Sequence, residues 1–328
     1  MREELLEVLA EPGTGATLEL RGASGGKGVI ERGELVSTTT GRVYPILRGI
    51  PRFVDPSNYT ASFGMQWNRF RATQVDSAAG GDHSRKRFDA ETGWTEDVLR
   101  GKWTLDGGCG AGRFAEIAAA RGPRLVALDM SSAVEAAKET LARFPNAEVV
   151  QGSLLEPPFR TGAFDFAYCI GVVQHTHSPE TAVRRVVESV RRSGGFALTI
   201  YARRPWTKLN AKYLVRPVTK RLPKETLLRA IESTMPVAFP VAERVFGMPG
   251  IGRAIRFMTP IAVYLEDERP GWSREHRYHE SVLDTLDMLS PAYDSPMTWQ
   301  EVERILRDVG ADRWEFRTRV PINVVGRR

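Results

Sequence analysis

The 328-residue chain is 42% hydrophobic and 26% charged, which is enough apolar material for one large α/β domain with appendages and too much for disorder along most of its length. A formal net charge of +6 admits an anionic partner such as nucleic acid, a membrane surface or an acidic substrate, without selecting one. Only Cys109 and Cys169 occur, both in apolar or glycine-rich stretches, which excludes a disulfide framework and suits a reducing compartment.

The chain starts Met1-Arg2-Glu3-Glu4-Leu5-Leu6, without the basic and then apolar pattern of a secretory leader. No run approaches the roughly 20 apolar residues of a membrane span, so a soluble, cytoplasmic protein is expected. Residues 1–54 read as a small β-rich unit, with short strands at 17–20, 29–30, 34–36 and 43–46 separated by glycine turns. Residues 55–100 form a helical connector and cofactor cover rich in aromatics, among them Tyr59, Phe63, Trp67 and Trp94.

From 101 to 201 short apolar runs alternate with amphipathic ones, the signature of a doubly wound parallel sheet. Strands are expected at 103–105, 124–128, 147–150, 164–169 and 196–201, with helices near 112–121, 131–143 and 179–192. Residues 202–297 interrupt this rhythm with eight prolines, from Pro205 to Pro270, which predict a mostly helical insertion chopped into short pieces. The core pattern resumes over 298–328: an amphipathic helix from Trp299 to Val309 stops at Gly310, and 313–317 with 322–325 make a last antiparallel pair.

The strongest chemical signal is Leu105-Asp106-Gly107-Gly108-Cys109-Gly110-Ala111-Gly112-Arg113, where a strand ends and a helix begins. Glycines at 108, 110 and 112 let the backbone turn sharply and approach a ligand closely. A dinucleotide fingerprint counted from Gly108 would require glycine at 113, where Arg113 stands. The next strand ends at Asp129, 21 positions beyond Gly108. An acidic side chain there can accept hydrogen bonds from two ribose hydroxyls, although it can also cap the following helix. After the third strand comes Gln151-Gly152-Ser153-Leu154, where a polar side chain can meet an adenine amino group and Leu154 its face. Cys169-Ile170-Gly171-Val172-Val173-Gln174-His175 leaves the fourth strand. In an open parallel sheet all four segments converge at the carboxyl ends of the strands.

With these motifs the chain resembles the class I S-adenosylmethionine-dependent methyltransferases, and within them the group of ubiquinone and small-molecule methylating enzymes, over about 85–201 and again over 299–328. The resemblance implies an α/β fold: a Rossmann-like, doubly wound seven-stranded sheet with its last strand antiparallel. It implies S-adenosyl-L-methionine as cofactor, with Asp106, Gly108, Cys109 and Gly110 at the methionine part, Asp129 at the ribose and Met130, Ser153 and Leu154 at the adenine. Cys169 and Ile170 complete that set. Ser153 stands where many relatives have aspartate, so the adenine contact is expected to be weaker or shared with a backbone group.

A sulfonium methyl is intrinsically electrophilic, so alignment and exclusion of water carry most of the rate; held reactants recover roughly 7–11 kcal/mol. A hydroxyl acceptor also gains from a general base, by about 10²–10⁴-fold. His175, at the crevice edge, is the candidate base, with ordering of its loop as the bland alternative; His177 is expected to be exposed beside the next helix start. Tyr59, Trp67, Gln174, Asp287 and Tyr293 are candidate substrate contacts, against the general tendency of such aromatics to be core. Arg85 and Arg87 stand just before the core and can close over the methionine end, or form a solvated face.

The insertion leaves the fifth strand at Tyr201 and returns at Trp299, so both its ends lie at the ligand edge and a lid is expected. Over 203–229 it carries Arg203, Arg204, Lys208, Lys212, Arg216, Lys220, Arg221 and Lys224 against Glu225. Such a run usually makes a solvated helical face. Interleaved Leu209, Tyr213, Leu214 and Val218 keep a peripheral membrane contact open as an alternative.

Tyr44-Pro45-Ile46-Leu47-Arg48-Gly49-Ile50-Pro51 resembles the end of the small zinc-binding module related to the methyltransferase activator subunit. The turns where that module has cysteines hold Ala10-Glu11-Pro12-Gly13 and Ser37-Thr38-Thr39-Thr40. No thiolate can hold tetrahedral zinc there, so a metal-free remnant packed on the core is expected.

The function expected is methyl transfer to oxygen or nitrogen of a small metabolite, in specialised biosynthesis. The rivals are an RNA or carrier-bound substrate, a cofactor-binding regulator without catalysis, and a dehydrogenase. Against nucleic acid, the fourth strand ends without the Asn/Asp-Pro-Pro-aromatic motif of base-amine methylation. Oligomeric state is open.

Overall fold

The computed structural model describes residues 1–26, 28–55, 75–269 and 271–328. Tyr59 and Trp67 lie outside the described residues. The centre is a seven-stranded sheet in the order β10-β11-β9-β8-β5-β6-β7. Its parallel strands are β5 (Trp103–Gly107), β6 (Arg124–Asp129), β7 (Ala147–Gln151), β8 (Phe164–Ile170) and β9 (Val190–Ile200). β11 (Ile322–Arg327) runs antiparallel between β9 and β10 (Arg313–Arg319). This is the doubly wound arrangement with the last strand reversed that the alternating pattern implied.

Two apolar clusters cover the sheet faces. One gathers Leu105, Val126, Val150, Leu198 and Val324 with Val183, Val186 and Val187 of the helix Pro179–Ser189. The other joins Leu125, Ala127, Val149 and Tyr168 to Ala115 and Ala118 of the helix Arg113–Ala119, and to Val134 and Ala137 of the helix Val134–Thr140. Burial on both faces explains why these strands read as continuous apolar runs. The helix expected over 179–192 stops at Ser189, whose hydroxyl returns to the Val186 carbonyl at 2.7 Å; β9 therefore begins at Val190, six residues earlier than the apolar run suggested.

The last core helix, Trp299–Asp308, opens with a full capping box between Thr298 and Glu301. The N-terminal unit is a four-stranded antiparallel sheet in the order β1-β2-β3-β4, formed by Leu18–Gly26, Val29–Ser37, Val43–Leu47 and Ile50–Pro51. The two short runs expected at 29–30 and 34–36 are one continuous strand. The unit docks on β7, the edge of the large sheet: Phe53 donates its N–H to the Gln151 carbonyl at 2.8 Å, and Arg52 lies beside Gln151 in parallel pairing. Main-chain pairing thus covers an otherwise open edge.

In that unit the turns expected to lack zinc ligands are joined by a carboxylate. Glu11 is buried and accepts from the hydroxyls of Thr14, Ser37 (2.9 Å), Thr40 and Tyr44 (3.3 Å). Among the described residues no group of three or more His, Cys, Asp or Glu side chains is placed to hold a metal ion.

The insertion corrects one expectation. Its prolines do not chop it evenly, because Lys224–Phe246 is a single 23-residue helix with Pro236 and Pro240 inside. Each internal proline costs about 3 kcal/mol. Leu227, Leu228, Ile231, Met235, Phe239 and Ala242 of this helix pack with Val282, Leu283, Leu286 and Leu289 of the helix Arg274–Leu289. Burial at roughly 1.5–3 kcal/mol per large side chain outweighs the two losses, and Pro236 is exposed, away from that stripe. Among the described residues no helix is long and apolar enough to cross a membrane.

Candidate active site

The glycine loop leaves β5 with Gly108 at φ +86°, Gly110 at +53° and Gly112 at +88°. Gly108 also faces the β8 loop so closely that a Cβ there would meet Val172 Cγ1 at 2.4 Å. Two constraints, a left-handed backbone and a filled neighbour, therefore demand glycine at this position. The loop is tied to the end of β6: Gly108 and Cys109 N–H donate to the Leu128 carbonyl at 2.8 and 2.9 Å.

Asp129 is held by the same loop. Its Oδ2 accepts from Gly110 N–H at 2.9 Å, and its Oδ1 from Ser131 N–H at 2.8 Å and the Ser131 hydroxyl at 2.6 Å. Burial pushes the Asp129 carboxyl up while these hydrogen bonds pull it back. Asp106, fully buried two residues before Gly108, is pushed up to about 8, mainly by burial, with Tyr168 opposing and Asp129 adding to the rise. A cation above the loop would favour its charged form.

These groups border a cavity of 630 Å³, within the usual range for small-molecule sites. Of the residues expected at the cofactor, Gly108, Cys109, Gly110, Asp129, Met130, Ser153, Leu154 and Ile170 line it. Asp106 and Cys169 are buried and do not line it. Gln151 is also turned inward, its Nε2 donating to the carbonyls of Met130 at 3.2 Å and Ser131 at 3.3 Å. An adenine contact by its side chain is therefore replaced by a clamp between two loops.

His175 lines the far side of the same cavity, in the short 3₁₀ turn Val173–His175. Its Nδ1 is 3.2 Å from the Tyr293 carbonyl. A carbonyl only accepts, so Nδ1 carries the proton in the neutral ring and Nε2 is the basic nitrogen. The Tyr201 ring meets it edge-on at 5.6 Å. His177 is exposed. Gln174 is fully buried; its Nε2 donates to the Gly171 carbonyl at 2.7 Å and its backbone carbonyl accepts from Ser295 N–H at 2.8 Å. The structure thus uses Gln174 to fasten the loop and does not bring it to the cavity wall. Tyr293 reaches the site through its carbonyl, while its ring lies outside the cavity, 6.0 Å from His177.

Asp287 does line the cavity, and with it come residues the sequence did not single out: Glu280 and Asp284 from the same helix, Tyr264 and Trp272 from the insertion, and Arg113 and Phe114 from the core. The spacing of Glu280, Asp284 and Asp287 at i, i+4 and i+7 is the signal that could have found the stripe, since it puts three carboxylates on one helix face. Asp284 is pushed up to about 6, mainly by burial, and Tyr264 donates its hydroxyl to it. Arg87 reaches the cavity, paired with Glu91 at 2.7 Å; Arg85 is exposed and pairs with Asp82.

The basic run of the insertion is only partly a solvated face. Lys212 pairs with Asp294 at 2.6 Å, and Arg216, 6% exposed, donates to the carbonyls of Met288 and Pro291, each at 2.9 Å. The insertion starts and ends side by side at β9, where Arg203 N–H donates to the Met297 carbonyl and Met297 N–H to the Tyr201 carbonyl.

Residues 105–198 match the family model described as a methyltransferase domain. Among curated proteins the chain is similar to a ubiquinone biosynthesis O-methyltransferase of Acinetobacter baylyi, 26% identical over 167 residues, covering 49% of this chain and 62% of that protein. A mitochondrial ubiquinone biosynthesis O-methyltransferase of Schizosaccharomyces pombe is 28% identical over 148 residues, 44% of this chain and 54% of that one. The chain thus spans less than two thirds of the length of these curated relatives. A solved structure of human N-acetylserotonin methyltransferase in complex with SAM aligns over 84% of this chain and 60% of that one, at 13% identity and a TM-score of 0.44. The glycine cradle that a Cβ would fill, and the carboxylate that its amide orients, fit a nucleoside cofactor of this family. Over residues 105–198 the chain is thus similar to methyltransferase domains.

Proposed function

We propose that the protein transfers the methyl group of S-adenosylmethionine to a hydroxyl of a small molecule bound between the core and the helical insertion. The observation that carries this is the continuity of one cavity from Gly108 and Asp129 to His175 and Asp287. When bound, the cofactor supplies an electrophilic methyl on a sulfonium. Asp129 accepts the ribose hydroxyls, held for that task by Gly110 and Ser131. Met130, Ser153 and Leu154 border the nucleobase, and the glycine loop makes room for the methionine part.

Nε2 of His175 takes the acceptor proton, because the Tyr293 carbonyl keeps the other nitrogen protonated. The curated relatives are named as O-methyltransferases, in accord with a base in this position. The insertion acts as a lid whose Tyr264, Trp272, Asp284 and Asp287 face the acceptor and exclude water. A place in specialised biosynthesis fits a site with its own acidic and aromatic wall.

The test is formation of S-adenosylhomocysteine from S-adenosylmethionine with a panel of phenols, hydroxy acids and amines. Turnover confined to hydroxyl acceptors supports the proposal. Absence of nucleoside uptake in calorimetry at high protein concentration would end it.

A further inference from the structure

One side chain of the N-terminal unit reaches Gln151, the residue just before the Gly152–Leu154 wall of the cavity. Arg52, just after β4, is 15% exposed and donates from Nη1 to Gln151 Oε1 at 2.7 Å. Its Nη2 pairs with Glu135, and Arg48 reaches the second oxygen of that carboxylate at 3.1 Å. An arginine can only donate and a carbonyl can only accept, so Arg52 on one side and the Met130 and Ser131 carbonyls on the other select the same orientation of the Gln151 amide. The oxygen must face Arg52, and the NH₂ must then face the carbonyls of Met130 and Ser131, where it is found.

Gln151 therefore governs two walls at once. Its side chain clamps the Met130–Ser131 segment, which follows Asp129 and positions Ser131 to hold that carboxylate. Its backbone runs directly into Gly152, Ser153 and Leu154, which border the cavity opposite Met130; Gly152 N–H donates to the Asp129 carbonyl at 2.9 Å. Without Arg52 the Gln151 oxygen loses its donor and the amide is held from the Met130–Ser131 side alone, so the spacing of the walls is less firmly set.

We propose that Arg52 is a positioning residue for the cofactor cradle, acting from the N-terminal unit through Gln151 on the Asp129–Ser131 loop. The consequence for binding rests on the cofactor reading above, whereas the consequence for the loop does not. The unit that resembles a metal-binding module is thereby a built-in part of the nucleoside site.

The experiment compares the full-length protein with Arg52→Met and Arg52→Lys. Without ligand, hydrogen exchange of peptides covering 108–112 and 129–133 should speed up in Arg52→Met, because Gly110 and Ser131 N–H lose a fixed acceptor, while peptides from β9 stay unchanged. With S-adenosylhomocysteine as probe, its dissociation constant and the KM for S-adenosylmethionine should rise about tenfold, the scale expected from a lost charge-assisted hydrogen bond. The kcat at saturating cofactor should hold, and Arg52→Lys, which keeps one donor, should recover part of the affinity.

Unchanged exchange in these loops would overturn the inference, whatever happens to binding. If the unaltered protein takes up no nucleoside, the function proposed above fails, and the ligand-free exchange result still decides the role of Arg52. Should Arg52→Met fail to fold, faster exchange of the two loops in Arg52→Lys decides in the same way.

Discussion

Gly108, Asp129 and His175 carry the function proposed above. Alanine at 108 would need a left-handed backbone and would press a methyl group into Val172. Gly108→Ala is expected to cost roughly 1–3 kcal/mol of stability and to abolish nucleoside binding, checked by thermal unfolding and calorimetry. Asp129→Ala removes the acceptor of Gly110 N–H and Ser131 N–H together with the proposed ribose contact. Two or more charge-assisted hydrogen bonds at about 1.5–3 kcal/mol each predict loss of S-adenosylhomocysteine affinity by at least about 100-fold. His175→Ala should leave that affinity unchanged and lower kcat by about 10²-fold or more. An unaltered kcat would make the ring a wall of the pocket and nothing else.

At the level of elements, the two turns of the N-terminal sheet are joined by a carboxylate. The hydroxyls of Thr14 and Thr40, then Ser37 and Tyr44, hold the Glu11 carboxyl down at about 2, against an ordinary 4.5. A folded value below the unfolded one means that the unfolded chain binds the extra proton as pH falls. Stability from Glu11 is therefore complete above about 4.5 and drains away as pH drops toward 2. Glu11→Gln should remove this part of the acid sensitivity, seen as a flatter thermal midpoint between pH 5 and pH 2, and chelator should leave the midpoint of the unaltered protein in place. The long proline-bearing helix makes a related point: local propensity forbids it, and packing against Arg274–Leu289 restores it.

For the molecule as a whole, the described lining of the cavity comes from the helix His83–Thr92, the core loops and the helical insertion, with the N-terminal unit behind it through Arg52 and Gln151. Arg216 joins the helix Ala211–Thr219 to the segment following the helix that carries Asp284 and Asp287. Arg216→Met leaves two carbonyls without their donor, a cost of roughly 2 kcal/mol or more. It should raise the KM for the acceptor while leaving S-adenosylhomocysteine affinity intact, because no cofactor contact runs through that helix. Equal effects on both ligands would mean that the insertion shapes the whole cavity.

The central sheet, its reversed last strand and the glycine-carboxylate pair were legible in the residues, because each depends on local rules: apolar periodicity, a turn only glycine can make, and an acid at a strand tip. Other features were decided by tertiary structure alone. Gln151 turns away from the cavity because its amide is held between Arg52, 99 positions earlier, and the carbonyls of Met130 and Ser131. Gln174 and Tyr293 hold loops instead of lining the pocket, since their partners Gly171, Ser295 and His175 come together only in the folded chain. The lining by Arg113, Tyr264 and Trp272 arises from packing the insertion over the core. A sequence states which side chains are available for chemistry; which of them face one another depends on contacts across tens to hundreds of residues, and those carry no local signature.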